Sequence, residues 1–289
     1  MLKYRLPSGI TLLTLLLTSI FWESAEGKII FTIFGVGMVG CAVWEFIRML
    51  KQIGKEAFTK TTIGLSVALV VSTLYSNSGV IPFALLVLTI SLPWILLLYS
   101  KQDKDILFKA INSLATFYMI TVPLIFISLI YVNSEFINNI DTDYSSRYLL
   151  FYMILVTKFG DIGAYFSGMT ANKILNGNTK KIVPSISPKK TWIGTFGGFC
   201  SSILVSILLV ELFLPEQLGH YFSFISATLI GATLFIGGFF GDLVESALKR
   251  LTGVKDSGTI LPGMGGVLDV VDSLLLNAPI FYLIIKFVL

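Results

Sequence analysis

The chain has 289 residues, of which 55% are hydrophobic and only 13% are charged. Soluble domains contain roughly 25% charged residues, so this composition excludes an ordinary soluble protein and predicts a polytopic membrane protein. The net charge of +4 is small, and we expect no nucleic-acid partner.

Nine apolar stretches follow one another along the chain, and each reaches or approaches the roughly 20 residues that a helix needs to cross a bilayer. They cover residues 8–22, 29–47, 61–75, 79–99, 111–132, 147–168, 192–213, 221–241 and 267–289. The first and third are short, which leaves eight and nine spans both open. We predict an all-α fold, a polytopic transmembrane helix bundle of about nine spans in the lipid bilayer.

The basic residues indicate the orientation of these spans, because loops that face the cytoplasm carry an excess of Lys and Arg. With nine spans and a cytoplasmic amino terminus, 17 of the 21 basic residues fall on the cytoplasmic side. The loops on the opposite side read ESAEG, SNS, NSEFINNIDTDYSS and ELFLPEQLGH. The sequence therefore predicts a cytoplasmic amino terminus and an outer carboxyl terminus.

A first polar group interrupts the apolar pattern near residue 160. In a helix, Lys158, Asp161 and Tyr165 lie on one face, so Lys158 can pair with Asp161. Such a pair either locks helix packing or lines a polar cavity, and the sequence leaves both readings open.

The run SPKKT at residues 187–191 precedes the next apolar stretch. Ser187, Lys189 and Lys190 combine a hydroxyl with two ammonium groups, which suits a polyanionic phosphate. The alternative is ordinary cytoplasmic loop charge that interacts with acidic lipid head groups.

The densest group of ionisable side chains lies between residues 241 and 273. Charged groups at membrane depth are costly unless they are paired, metal-bound or hydrated, so this cluster predicts a functional site. Helical spacing puts a first set on one polar stripe: Asp242, Glu245, Ser246, Lys249 and Arg250. The following helix presents a second set: Asp269, Asp272 and Ser273.

The loop between these two helices carries Lys255 and Asp256, followed by three glycines at positions 263, 265 and 266. Oxygen ligands without Cys or His suit Mg²⁺, which proteins hold with one or two carboxylates plus substrate phosphates. Glycines let backbone amides approach a phosphate closely. Metal, cations and amides together are what phosphoryl or nucleotidyl transfer requires.

Three stretches of the chain carry a family resemblance. The first runs from residue 246 to residue 272 and combines SALKR, KD, PGMGG and two aspartates at fixed spacing. The others are DIGAYFSG, from residue 161, and SPKKTWIG, from residue 187. With the multispan architecture, they resemble the phosphatidate cytidylyltransferases, also called CDP-diacylglycerol synthases.

The resemblance implies an enzyme of phospholipid biosynthesis that converts CTP and phosphatidate to CDP-diacylglycerol and pyrophosphate. The catalytic residues would be Asp242, Ser246, Lys249, Arg250, Lys255, Asp256, Asp269 and Asp272. The substrate-binding residues would be Asp161, Ser187, Lys189, Lys190, Gly263, Gly265 and Gly266. Mg²⁺ would be held by Asp242, Asp269 and Asp256, with room for a second cation.

This interpretation places amino-terminal transmembrane helices in residues 1–110. Residues 111–289 would form the transmembrane catalytic region, with a polar cavity that faces the cytoplasm. We expect an integral protein of the bacterial cytoplasmic (inner) membrane. A homodimer is compatible with the sequence, which does not specify the oligomeric state.

Three positions depart from the family pattern: Met264 stands where histidine is usual, Val270 where arginine is usual, and Ile193 where glutamate is frequent. Because the carboxylates and cations of the core are all present, we expect a working, divergent enzyme. A CTP-dependent lipid kinase of the polyprenol type is an alternative, distinguished by its lipid phosphate product. A cation-coupled transporter is another, and it would spread polar groups over two repeated halves.

Overall fold

The structure, a computed structural model, describes residues 2–22, 25–76, 78–99, 104–132, 142–219 and 221–287. Nine helices of 17 or more residues occupy these ranges. They are α1 Leu2–Phe21, α2 Ala25–Gln52, α3 Thr59–Tyr75, α4 Val80–Tyr99, α5 Lys104–Val132, α6 Thr142–Ile174, α7 Trp192–Leu212, α8 Phe224–Leu251 and α9 Leu268–Phe287. Each overlaps one predicted apolar stretch, so the predicted all-α fold is confirmed.

Helices are the expected outcome for such stretches, because a helix satisfies its backbone hydrogen bonds internally where no water is present. Two short elements depart from the pattern: a π-helical turn at Phe117–Thr121 inside α5, and a four-residue helix at Glu216–Gly219. Among the described residues, seven helices are long and apolar enough to cross a membrane, and α1 and α3 are not among them. The protein is an integral membrane protein, while the count of nine crossings and the orientation stay predictions.

Contacts between elements group the chain into two compact units. The first comprises Met1–Val132 and Lys249–Val271, and the second comprises Asn133–Leu248 and Asp272–Leu289. The division at residue 110 into amino-terminal helices and a catalytic region stays a prediction.

The first unit is held by the packing of α1 to α5 in sequence order. Ser66 of α3 and Thr121 in the π-helical turn of α5 share a buried hydrogen bond of 2.7 Å. The rings of Phe31 and Tyr131 stack with their centroids 3.8 Å apart, which joins α2 to α5. The core between these helices also contains the buried rings of Phe46 and Phe117, so aromatic packing and small polar contacts both contribute to holding the helices together.

The second unit is held by close helix approach and by one buried amide. The Nδ2 group of Asn277, in α9, donates to Thr157 Oγ1 of α6 at 2.8 Å and to the carbonyl of Leu234 in α8 at 2.7 Å. Between α6 and α7, the strands β1 (Lys181–Val183) and β2 (Ser187–Thr191) form an antiparallel hairpin. The sequence indicates only a polar loop here, because strands of three and five residues are too short to show a strand pattern.

Candidate active site

A cavity of about 390 Å³ lies within the second unit, a volume in the range of small-molecule sites. Its charged wall consists of Asp161, Lys181, Lys189, Lys190 and Asp242. Its other lining residues are Ala164, Tyr165, Gly168, Met169, Asn172, Thr191, Gly194, Thr195, Phe235 and Phe239. The cavity therefore combines three cations, two carboxylates and an aromatic, apolar side.

The hairpin supplies the cations of this cavity. Lys181 pairs with Thr191 across the two strands, and Lys189 and Lys190 lie on β2 between the turn and α7. Thr191 is the last residue of β2 and the N-cap of α7. Its Oγ1 accepts a hydrogen bond from the Gly194 backbone N–H at 3.0 Å. This capping bond satisfies one of the free amides at the helix start, so the SPKKT run is held by local structure.

Lys190 and Asp242 meet at the wall of the cavity. The Lys190 Nζ lies 3.4 Å from Asp242 Oδ2, 3.3 Å from the Phe239 carbonyl oxygen and 4.5 Å from the centroid of the Phe239 ring. Asp242 Oδ1 is buried and has no hydrogen-bond partner among the described residues. A buried carboxylate oxygen without a donor is costly, so this atom is suited to binding a cation.

A second polar group in the same unit surrounds Lys158. Its Nζ donates to Ser273 Oγ at 2.8 Å and lies 3.4 Å from Asp161 Oδ2, and the Ser273 hydroxyl in turn lies 3.2 Å from Asp161 Oδ2. The charges of Asp242 and Asp272 also act on Lys158. The predicted pairing of Lys158 with Asp161 is thus confirmed, and the ammonium group counters several carboxylates at once.

In the first unit, Asp269 organises the loop that follows α8. Its Oδ1 lies 2.6 Å from Lys249 Nζ. Its Oδ2 accepts hydrogen bonds from the backbone N–H groups of Ser257 at 2.9 Å and Gly266 at 2.7 Å, and it also lies 2.9 Å from the Ser257 hydroxyl. Gly265 has a φ of +101°, and a Cβ there would come within 2.6 Å of Asp269 Oδ2. This glycine is therefore required by the close approach of the carboxylate.

Sequence reasoning missed Glu45, a fully buried residue of α2. Its carboxylate accepts hydrogen bonds from the Ser257 hydroxyl and from the backbone N–H groups of Val267 and Leu268. The sequence signal that could have indicated Glu45 is a single acidic residue within the apolar run VWEF.

Lys181 was also missed, because the sequence does not indicate which lysine of the pair at 180–181 faces the cavity.

The other predicted site residues lie in α8, in the loop that follows it, and in β2. Ser246 is half-buried in α8 and Arg250 is exposed near its end. Lys255 and Asp256 are exposed and line a hollow of about 340 Å³ in the first unit. Gly263 has a φ of +77° and Gly266 is buried in the same loop. Ser187 is half-buried in β2 and does not line the cavity of the second unit.

The carboxylates divide between the units: Asp161, Asp242 and Asp272 belong to the second, and Asp256 and Asp269 to the first. Within the described residues, no group of three or more His, Cys, Asp or Glu side chains could hold a metal ion by itself. Mg²⁺ needs only one or two carboxylates when phosphates supply further oxygens. The unbonded oxygen of Asp242 fits that requirement, and the metal roles predicted for Asp256 and Asp269 stay predictions.

The fold and these clusters define a helical membrane protein with sites rich in cations and carboxylates. The model of the cytidylyltransferase family matches residues 3–288 of the chain. The chain therefore belongs to the cytidylyltransferase family, and the predicted family is confirmed.

Individual relatives agree with this assignment. The chain is 34% identical over 267 residues to the phosphatidate cytidylyltransferase of Bacillus subtilis, and the match covers 90% of each chain. It is 29% identical over 307 aligned positions to the phosphatidate cytidylyltransferase of Haemophilus influenzae, with 100% of both chains covered. The match to the uncharacterized protein YnbB of Escherichia coli is 37% identical over 139 residues, which is 48% of this chain and 43% of YnbB.

The matches differ in extent. The chain spans about half the length of several relatives, since it covers 43% of YnbB and 54% of the phosphatidate cytidylyltransferases of two Chlamydia species. The Bacillus subtilis and Haemophilus influenzae relatives are matched along nearly their whole length.

Proposed function

We propose that this protein is a phosphatidate cytidylyltransferase, which converts CTP and phosphatidate to CDP-diacylglycerol and pyrophosphate. The observation that carries the proposal is the cavity of about 390 Å³, in which three lysines and two carboxylates face an aromatic side. Such a site can bind phosphates next to apolar acyl chains. Membership of the family and the names of relatives matched along nearly their whole length support the same reaction.

In the proposed reaction, an oxygen of the lipid phosphate attacks the α-phosphorus of CTP. A new P–O bond forms, the bond from the α-phosphorus to its bridging oxygen breaks, and pyrophosphate leaves with the electron pair. Lys181, Lys189 and Lys190 would bind phosphate oxygens, a role supported by the position of all three in the lining of the cavity. Their charge would stabilise the negative charge that grows on the leaving group.

The residues of the first unit would serve the same reaction through the loop of residues 254–266. Lys249 and Lys255 would bind phosphates, and the amides of the glycine loop would contribute further donors. Asp269 is held by four donor contacts, so it would act as a fixed negative charge.

Mg²⁺ is the proposed cofactor. It would supply charge neutralisation for the phosphates of CTP. Asp242 would hold it through the oxygen that lacks a hydrogen bond, and Asp256 and Asp269 are proposed as further ligands. We also propose that the site faces the cytoplasm, where CTP is available, in a bacterial cytoplasmic membrane.

The test is incubation of the purified protein in detergent with phosphatidate, Mg²⁺ and CTP labelled in the α-phosphate. We expect label to enter the lipid phase as a CDP-lipid, and a chelator to prevent this. A lipid kinase would transfer the γ-phosphoryl group instead and leave the label in soluble CDP. Absence of labelled lipid with folded protein and several phosphatidates would contradict the proposal and would point to Met264, Val270 and Ile193 as marks of a changed activity.

A further inference from the structure

Glu45 is a buried acid, and no pattern in the sequence assigns it to a functional site. It lies in α2 with 0% of its surface exposed, between Trp44 and Phe46. A carboxylate in such surroundings is strongly disfavoured unless its oxygens are bound. The partners of Glu45 therefore indicate why an acid is present there.

Three donors from one loop bind the Glu45 carboxylate. Oε1 accepts from the Val267 backbone N–H at 3.0 Å, and Oε2 accepts from the Leu268 backbone N–H at 2.8 Å. The Ser257 hydroxyl lies 3.0 Å from Oε2. Val267 directly precedes α9 and Leu268 is its first residue, so their amides have no acceptor within the helix. Glu45 thus caps a helix more than 200 residues away in sequence, with a charge that suits a helix amino terminus.

The loop backbone is shaped around this carboxylate. Gly258 and Gly266 lie on either side of it, and a Cβ at either position would overlap the oxygen atoms of Glu45. Two glycines, eight residues apart, are therefore both required by one side chain of α2. Contact this close fixes the loop relative to α2 within the first unit.

Neighbouring amides of the same loop hold Asp269. Ser257 donates to Asp269 Oδ2 through its backbone N–H, and Gly266 does so through its own. A shift of the loop away from Glu45 would move both donors, and with them the ion pair of Asp269 with Lys249. The loop is thus the physical link between Glu45 and Asp269.

We propose that Glu45 is a positioning residue, which holds residues 257–268 in the conformation that orients Asp269 and Lys249 for cytidylyl transfer. This inference rests on the proposed function. Glu45 acts through hydrogen bonds that need two acceptor oxygens, since the backbone amides of Val267 and Leu268, one on each oxygen, can only donate.

The test compares Glu45→Gln and Glu45→Asp with Glu56→Gln, which removes the same charge from an exposed ion pair with Lys109. We expect Glu45→Gln to speed amide hydrogen exchange in residues 257–268 about tenfold and to lower turnover per folded molecule about tenfold. Glu45→Asp should retain more turnover than Glu45→Gln, because it keeps both acceptor oxygens. Glu56→Gln should match the wild type in both measurements.

Several results would overturn the proposal. Wild-type exchange in Glu45→Gln would show that the carboxylate does not hold the loop. Higher turnover in Glu45→Gln than in Glu45→Asp would assign Glu45 a packing role, since Gln preserves its volume. Should Glu45→Gln fail to fold, Gly258→Ala, which places a methyl group against the same carboxylate, must show the faster exchange. If the wild type transfers no cytidylyl group, the proposed function fails, and hydrogen exchange alone decides whether Glu45 holds the loop.

Discussion

Asp242 has two carboxylate oxygens in different surroundings. Oδ2 faces Lys190 at 3.4 Å, whereas Oδ1 is buried and has no hydrogen-bond partner among the described residues. A buried carboxylate oxygen without a donor is costly unless a cation is bound to it. The neighbouring charge of Asp272 adds repulsion, so the arrangement is stabilised by added positive charge.

Asp242→Asn tests this point. We expect the rate of CDP-lipid formation to fall at least about a hundredfold, because a metal ligand contributes several kcal/mol to the stabilisation of transition-state charge. The side chain keeps its size, so the thermal-unfolding midpoint in detergent should change little. Initial rates measured over a range of Mg²⁺ concentrations provide the check.

Glu211→Gln is the matched control, because Glu211 is an exposed acid near the end of α7 and lies outside the cavity. It should leave the rate unchanged. A near-normal rate for Asp242→Asn would remove Asp242 from the metal site.

Contacts between individual residues could be predicted where helical spacing brings the residues together. The pairing of Lys158 with Asp161 followed from a spacing of three residues. The bonds from Glu45 to Val267 and Leu268 could not be predicted, since they join positions more than 200 residues apart and depend on packing. A single sequence contains no signal for such contacts beyond the presence of a buried acid.

At the scale of elements, α6, α7 and α8 approach each other through glycine. A Cβ at Gly198 would lie 2.6 Å from the Phe235 ring, 2.7 Å from the Gly160 carbonyl oxygen and 2.8 Å from the Ala164 Cβ. Small residues at helix contacts are typical of membrane proteins, because van der Waals packing drives helix association there. These distances show that only a residue without a side chain fits at position 198.

Gly198→Ala should therefore destabilise the second unit by about 1–3 kcal/mol, since the added methyl group meets backbone and an aromatic ring. Thermal unfolding in detergent is the measurement, and a lower midpoint is expected. Gly64→Ala in α3 is the control, because a Cβ there would meet nothing within 4 Å. Equal midpoints for the two variants would contradict the packing argument.

The existence of all nine helices could be predicted, because long apolar runs are a strong signal. The hairpin of β1 and β2 could not, although it carries Lys181, Lys189 and Lys190. Its two strands contain only a few paired residues, and the run KIVPSISPKKT is equally typical of a polar loop. The sequence thus predicted the kinds of residue in the cavity wall, but not the hairpin that carries them.

For the whole molecule, the main question is how many helices cross the membrane. The 17 residues of α3 span about 26 Å at 1.5 Å per residue, whereas the hydrocarbon core is about 30 Å thick. Local thinning of the bilayer can accommodate a helix that is short by a few ångströms. The positive charge on the cytoplasmic side of the predicted topology favours a crossing by α3, because without it the later basic loops would change sides.

Single cysteines at exposed positions test the predicted topology, in a background with serine at positions 41 and 200. With nine spans and a cytoplasmic amino terminus, Ser78→Cys lies outside, whereas Lys55→Cys and Ser185→Cys lie inside. All three native residues are exposed, so each cysteine should react with a thiol reagent after permeabilisation. On intact cells, a membrane-impermeant reagent should label only Ser78→Cys. Equal labelling of Lys55→Cys and Ser78→Cys would show that α3 does not cross. Labelling of Ser185→Cys from outside would place the hairpin of β1 and β2 on the wrong side for cytosolic CTP and would contradict its proposed role in phosphate binding.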